Sequence, residues 1–366
     1  MKIGVDLLWV RPGICGGTES VIRNLLEGFG RYGRGNRYLL FVSEDNADSF
    51  RRYEKPGSIE LEVCGVASGV PARRILWENL HLDRLASRRA VDVMFIPVYS
   101  KPLSRKNSVP YCCVIHDLQA LHYPQYFSRI RRLFFKYMWG YACRTSRRVV
   151  AISNYCREDL LRHYPEVKDK CRVIYNPVDF SDRASDFGEV AEKYGLEKDG
   201  YFYCVSSMLP HKNLDTLLGV MALRKRQGRR ERLVISGVGG QKDRFLESVR
   251  ALDIEDVVTD TGFVTDEERN CLYENCRAFL FPSIFEGFGM PPVEALGRGK
   301  PVVMTRESCL EEITLGRACY VDKPGDEEEW SLRIEEALVR PAEKVAFPDY
   351  QLEQVVKNYE DTFCHM

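Results

Sequence analysis

The chain has 366 residues, enough for two or three domains that each bury a core, and its 45% apolar and 29% charged residues exclude wholesale disorder, collagen-like repeats and a disulfide scaffold. The formal net charge is zero, yet residues 1–175 carry 29 Lys and Arg against 17 Asp and Glu, so the first half is basic and the second acidic. No run of 18 apolar residues occurs, and the start Met1-Lys2-Ile3-Gly4-Val5-Asp6 lacks a signal-peptide pattern; the expectation is a cytoplasmic enzyme, at most peripheral at the inner face of a membrane.

In the first half, short apolar runs expected as strands alternate with helical stretches: Ile3–Leu8, Tyr38–Val42, Ile59–Val63, Val93–Ile96, Tyr111–Ile115, Val149–Ile152 and Arg172–Ile174. Such alternation points to a parallel sheet covered by helices. Between the first strand and a helix expected over Ser20–Tyr32 lies Ile14-Cys15-Gly16-Gly17-Thr18-Glu19, a glycine turn at a phosphate or acceptor position of this architecture; a purely structural turn is the alternative. Val114-Ile115-His116-Asp117-Leu118 closes a later strand. His116 thus stands at a carboxyl end, where ligands of open α/β sheets lie, with Asp117 beside it to orient it or the loop.

Residues 129–148 mix Arg129, Arg131, Arg132, Lys136, Arg144, Arg147 and Arg148 with Phe134, Phe135, Trp139 and Tyr141. An interfacial membrane helix would offer this mixture. The arrangement expected here is instead an amphipathic helix with its aromatics on the sheet and its arginines in water.

Asn176-Pro177-Val178-Asp179 signals a turn, and the polar stretch after it places an interdomain linker at about residues 176–185, between a first domain of residues 1–175 and a second of residues 186–349. The second half repeats the alternation with Tyr201–Val205, Leu233–Ile235, Val257–Thr259, Ala278–Phe281, Pro301–Met304 and Cys319–Val321. After the first of these comes Ser206-Ser207-Met208-Leu209-Pro210-His211-Lys212-Asn213, and after the third Asp260-Thr261-Gly262-Phe263-Val264-Thr265-Asp266. The fourth leads into the most informative segment, Glu286-Gly287-Phe288-Gly289-Met290-Pro291-Pro292-Val293-Glu294. Gly287 and Gly289 let the backbone, with Phe288 between them, approach a ligand and aim N–H groups at it. Pro291 and Pro292 fit the first turn of a helix whose N-terminus stabilises an anion. Glu286 and Glu294, bracketing that anion site, suit hydroxyl groups: those of a sugar beyond the phosphates for Glu286, those of a ribose for Glu294. A strand–turn–helix with a capping Glu is the alternative.

The thirteen cysteines are odd in number and scattered, so reduced, mostly buried thiols are expected. Cys271 and Cys276 have no second pair to complete a zinc tetrahedron, no Asp-x-Asp pair occurs, and no metal or cofactor is expected.

The segment Glu286–Glu294 resembles the E-x7-E motif of retaining glycosyltransferase family 4, and the loop ending Pro210-His211-Lys212-Asn213 is similar to that family's donor-phosphate loop. The resemblance covers nearly the whole chain and implies the GT-B architecture: α/β, two Rossmann-like doubly wound domains facing across a cleft, with a final helix (350–366) crossing back to the first domain. It also assigns roles. Lys212 and Ser207 belong to the donor phosphates, although Ser206-Ser207 stands where many members have Gly-Arg, which removes a second cation. Gly262 and Val264 correspond to the loop that meets the nucleobase, Gly16 and Gly17 to the first glycine loop, and His116 to the position beside the donor sugar. The expected catalytic set is His116, Glu286 and Lys212. The implied activity is retaining, metal-independent transfer of a sugar, mannose foremost, from a GDP- or UDP-sugar to a saccharide or lipid-linked saccharide in polysaccharide biosynthesis, with no nucleic-acid partner. Rival expectations are a sugar-nucleotide-binding or membrane-associated scaffold without activity, and an epimerase or phosphorylase acting on related donors.

Overall fold

A computed structural model describes residues 1–103, 108–178, 180, 183–341 and 343–366. Asp179 of the expected turn and residues 181–182 of the expected linker lie outside the described residues. The chain forms two compact units, Met1–Pro177 with Pro348–Met366, and Val178–Phe347.

Among the described residues, the first unit is built on seven parallel strands: β1 (Lys2–Asp6), β2 (Arg37–Ser43), β3 (Ile59–Cys64), β4 (Val93–Ile96), β5 (Tyr111–Ile115), β6 (Arg148–Ala151) and β7 (Cys171–Val173), in the order β3-β2-β1-β4-β5-β6-β7. Central strands such as β4 and β5 are buried throughout, which is why their sequences read as continuous apolar runs rather than alternations. Edge strand β3 carries Glu60 and Glu62, charges that discourage further pairing. β1 stops at Asp6, short of the expected Leu8, because the Leu8 N–H donates to Asp6 Oδ1 (3.1 Å) and turns the chain out of the sheet.

The helix Gly17–Tyr32 buries Val21, Ile22, Leu25, Leu26 and Phe29. The terminal helix Leu352–Cys364 packs on it, with the Phe29 ring 6.5 Å from that of Tyr359 and 6.4 Å from that of Phe363. Gly28 makes this approach feasible, since a Cβ there would meet Val356 at 2.6 Å and Leu352 at 2.7 Å. Glu360 is almost wholly buried and accepts from Tyr38 Oη (2.6 Å), Asn36 Nδ2 (3.0 Å) and the Arg34 N–H (3.0 Å), so a carboxylate rather than apolar area alone ties the chain end to the first unit.

The second unit holds, among the described residues, six parallel strands: β8 (Tyr201–Val205), β9 (Arg232–Ser236), β10 (Val258–Gly262), β11 (Ala278–Phe281), β12 (Val302–Thr305) and β13 (Cys319–Val321), ordered β10-β9-β8-β11-β12-β13. This is the Rossmann order, and its direction reverses between β8 and β11, where ligands of such sheets bind. The corresponding reversal in the first unit falls between β1 and β4. None of the thirteen cysteines is paired, and eleven are buried.

Candidate functional site

At the switch point of the second unit, two loops leave the carboxyl ends of neighbouring strands and are bonded to each other. The His211 carbonyl accepts from the Ile284 N–H (2.8 Å) and Ser283 Oγ (3.1 Å). That coupling brings Lys212 Nζ to 2.6 Å from Glu286 Oε1, two partly buried side chains 74 positions apart in sequence. Asn213, in the left-handed region at φ +51°, turns the chain from the short 3-10 turn Pro210–Lys212 into the helix Leu214–Arg226; asparagine tolerates that conformation, and its Nδ2 is held by the Pro324 carbonyl at 3.0 Å. Burial, reinforced by the Lys212 ammonium, pushes the His211 imidazole down to about 4. A neutral His211 leaves Lys212 as the cation of this loop tip.

The segment after β11 is fixed from outside itself. Glu286 N–H donates to Ser308 Oγ (3.0 Å), and Cys309 Sγ–H donates to the carbonyls of Glu286 (3.2 Å) and Phe288 (3.3 Å). Gly289 sits at φ +84° as N-cap of the helix Met290–Gly297, with Pro291 in the first turn; any Cβ at 289 would be strained and only 3.0 Å from Leu310. Glu294 follows on the same helix. It is buried, with Arg269 Nε 3.8 Å from its Oε2, so the guanidinium from the helix Asp266–Asn275 balances a carboxylate that would otherwise be isolated.

Gly262 ends β10 at φ +68°, its N–H on Asp260 Oδ1 (2.9 Å) and its carbonyl accepting from Gly237 (2.9 Å). Thr265 caps the next helix in a reciprocal capping box with Glu268, so this segment also serves as a helix start. Phe263, beside partly buried Val264, is 81% exposed and its ring covers Gly239. Ser206 is buried and Ser207 partly so. Sequence reasoning missed Arg244, which donates to the Met208 carbonyl (3.1 Å) and pairs with Asp215 (2.7 Å), bracing the loop that lacks the usual arginine. It sits 32 positions beyond Lys212 and carries no motif of its own.

In the first unit, Gly16 is the N-cap of Gly17–Tyr32 at φ +60°. His116 lies just past β5, half-buried, with Nε2 2.9 Å from the Pro97 carbonyl; burial lowers its proton affinity. Asp117 shapes the turn, its Oδ1 accepting from the Gln119 N–H at 2.9 Å, and its charge also acts on the neighbouring His116 imidazole. No motif announces a buried carboxyl pair near the switch point: burial raises Asp6 and Glu78 above the ordinary carboxylate range, and for Glu78 the neighbouring Asp6 charge adds to this, while Arg74 holds Glu78 at 2.6 Å.

The helix Arg129–Thr145 departs from the arrangement expected of it. Its second half packs inward through Met138, Trp139, Ala142 and Cys143, but Ile130 (83% exposed), Leu133, Phe134 and Tyr137 face solvent along with the cations. Among the described residues no helix is long and apolar enough to cross a membrane.

Comparison with known proteins covers both units. Residues 15–182 match the family model described as Glycosyltransferase Family 4, and residues 186–351 match that of Glycosyl transferases group 1. The O-antigen chain mannosyltransferase RfbU of Salmonella typhimurium is 29% identical over 70% of this chain and 70% of its own length. O-antigen chain mannosyltransferase B of Escherichia coli is 29% identical over 61% of this chain and 60% of its own. Among solved structures, Anabaena Alr3699/HepE in complex with UDP-glucose superposes with a TM-score of 0.74 at 18% identity over the full length of both chains, a likeness of fold.

Proposed function

The chain belongs to glycosyltransferase family 4 and has the GT-B fold, and from this we propose that it transfers mannose from a nucleoside diphosphate sugar to a saccharide or lipid-linked saccharide acceptor during assembly of a bacterial surface polysaccharide, with retention and without a catalytic metal. The two mannosyltransferase relatives support the sugar and the polysaccharide context. GDP and UDP remain the two candidate carriers.

The observation that carries the reading is the Lys212–Glu286 pair at the switch point. In the proposed complex the donor diphosphate lies against Lys212 and the N-terminus of Met290–Gly297, so charge developing on the leaving group meets preorganised donors and needs no bound cation. Glu286, held by Lys212 at one oxygen, takes sugar hydroxyls; Glu294, charge-balanced by Arg269, takes the ribose. Gly262 and Val264 meet the base, Gly287–Gly289 and Ser207 the phosphates. His116, Gly16 and Gly17 of the first unit are assigned to the donor by family resemblance. Domain roles follow: residues 186–349 bind the donor, residues 1–175 the acceptor.

The exposed face of Arg129–Thr145 supports a second component of the reading. Residues 118–157 carry eight Lys and Arg and no Asp or Glu, and Ile130, Leu133, Phe134 and Tyr137 stand out among them, the composition of a surface that rests on anionic lipid. A lipid-linked acceptor would be met there. The site assignment is tested with Lys212→Ala, Glu286→Ala and Glu294→Ala across a panel of nucleotide sugars: each is expected to slow transfer at least about 100-fold, and unchanged turnover in all three would overturn it.

A further inference from the structure

Three side chains of the first unit, outside the set assigned above to the donor, converge on one point. His122 ends the short helix Gln119–His122, and Asp159 and His163 lie one turn apart on the helix Asn154–His163. Asp159 is 2% exposed. Its Oδ2 is 2.7 Å from His122 Nε2, while its Oδ1 is buried without a hydrogen-bond partner and faces His163 Nε2 at 3.6 Å. The two imidazoles stand nearly perpendicular, at 80°, with centroids 6.1 Å apart, and one ligand atom from each of the three residues lies within 4.8 Å of the others.

An unanswered buried carboxylate oxygen keeps its full desolvation penalty. A protonated imidazole at 3.6 Å relieves this only through charge, because the separation is too long for a hydrogen bond. It is, however, close to the roughly 3.4 Å that separates two ligand atoms at tetrahedral angles on an ion with bonds of about 2.1 Å. The i, i+4 spacing of Asp159 and His163 puts both on one helix face, and His122 and His163 remain 31% and 42% exposed, so an ion can enter from solvent.

We propose that His122, Asp159 and His163 form a binding site for a divalent transition-metal ion, zinc by the chemistry of a two-imidazole, one-carboxylate set, with at least one position left for water or an exogenous ligand. The site lies away from Lys212 and Glu286 in the chain and supplies no step of transfer. Its consequence is positional. Cys156, on the same helix as Asp159, donates its Sγ–H to the His116 carbonyl at 3.1 Å, and the helix ending at His122 starts two residues after Asp117. A bound ion therefore pins both flanks of the His116 loop, and occupancy sets how firmly that loop is held.

Only the effect on turnover rests on the proposed transfer; binding is tested without it. Full-length protein freed of metal with a chelator is titrated with zinc by calorimetry and with cobalt(II) by visible absorption, as wild type, His122→Ala, His163→Ala and Lys212→Ala. The expected result is one ion per chain, a cobalt spectrum of low coordination number and a raised Tm in wild type and Lys212→Ala, with binding weakened roughly 100-fold or more in both histidine variants. His163 is exposed at a helix end, so its variant keeps the fold and the His122–Asp159 bond. Absence of saturable binding in the wild type, or affinity unchanged in both histidine variants, would overturn the site. Retained binding with lost transfer in Lys212→Ala separates this proposal from the donor site.

Discussion

His211 shows how a motif residue acquires a property that no motif announces. The family-like loop makes Lys212 legible from sequence, and the glutamates bracketing two glycines and two prolines make Glu286 and Glu294 legible too, because their spacing alone places them around a helix N-terminus. That His211 is held near 4 follows from burial beside Lys212, which only the fold reveals. The unfolded chain takes up a proton there near the ordinary value of about 6.5, whereas the native state refuses it until pH falls toward 4. The contribution of His211 to stability is thus complete above pH ~6.5 and lost as pH falls through that window. Urea unfolding at pH 5 and pH 7.5 should show a smaller loss of stability at the lower pH for His211→Gln than for wild type; equal losses would mean that the imidazole titrates normally in the fold. Asp6 with Glu78, and His122 with Asp159, were illegible for a simpler reason: ordinary residues many positions apart, they become sites only by tertiary contact.

At the level of elements, the thirteen strands among the described residues were readable, the central ones because a parallel strand covered on both faces reads as an apolar run and the loops between carry glycine and proline. Their ends were less so. β1 ends early through a side-chain bond at Asp6, and β10 runs on past Thr259 across an irregularity between Asp260 and Gly262. The terminal helix was implied by the family resemblance, but its anchor was not, since Glu360 at a buried position looks like an error until Arg34, Asn36 and Tyr38 are found around it. Glu360→Ala leaves those donors unanswered in a buried setting and should lower the unfolding free energy by about 3 kcal/mol. Chemical denaturation measures this directly; a change below about 0.5 kcal/mol would place the anchoring in the Phe29, Tyr359 and Phe363 contacts instead. The helix Arg129–Thr145 is the element whose burial was misjudged. Its period fits an amphipathic helix, but period cannot say that only the second half has a sheet to pack on.

For the whole molecule, the zero net charge conceals a basic first half, and the structure shows where part of that charge lies: along a helix face that also exposes Ile130, Leu133, Phe134 and Tyr137. Cosedimentation with vesicles containing anionic lipid should exceed that with neutral vesicles, fall with added salt, and drop severalfold for a variant carrying Ile130→Ser and Leu133→Ser. Equal pelleting of wild type and variant would remove the lipid surface from the account. The central claim is sugar transfer, and product analysis tests it most directly: the purified chain is incubated with GDP-mannose and UDP-sugars and a lipid-linked saccharide acceptor, and the products are resolved by mass spectrometry and NMR. The account predicts one new glycosidic bond with the anomeric configuration of the donor, nucleoside diphosphate released in equal amount, and a rate at least about 100-fold lower for Lys212→Ala. Donor that binds but is never transferred to any acceptor, or that emerges as an epimer or a free sugar phosphate, would contradict it.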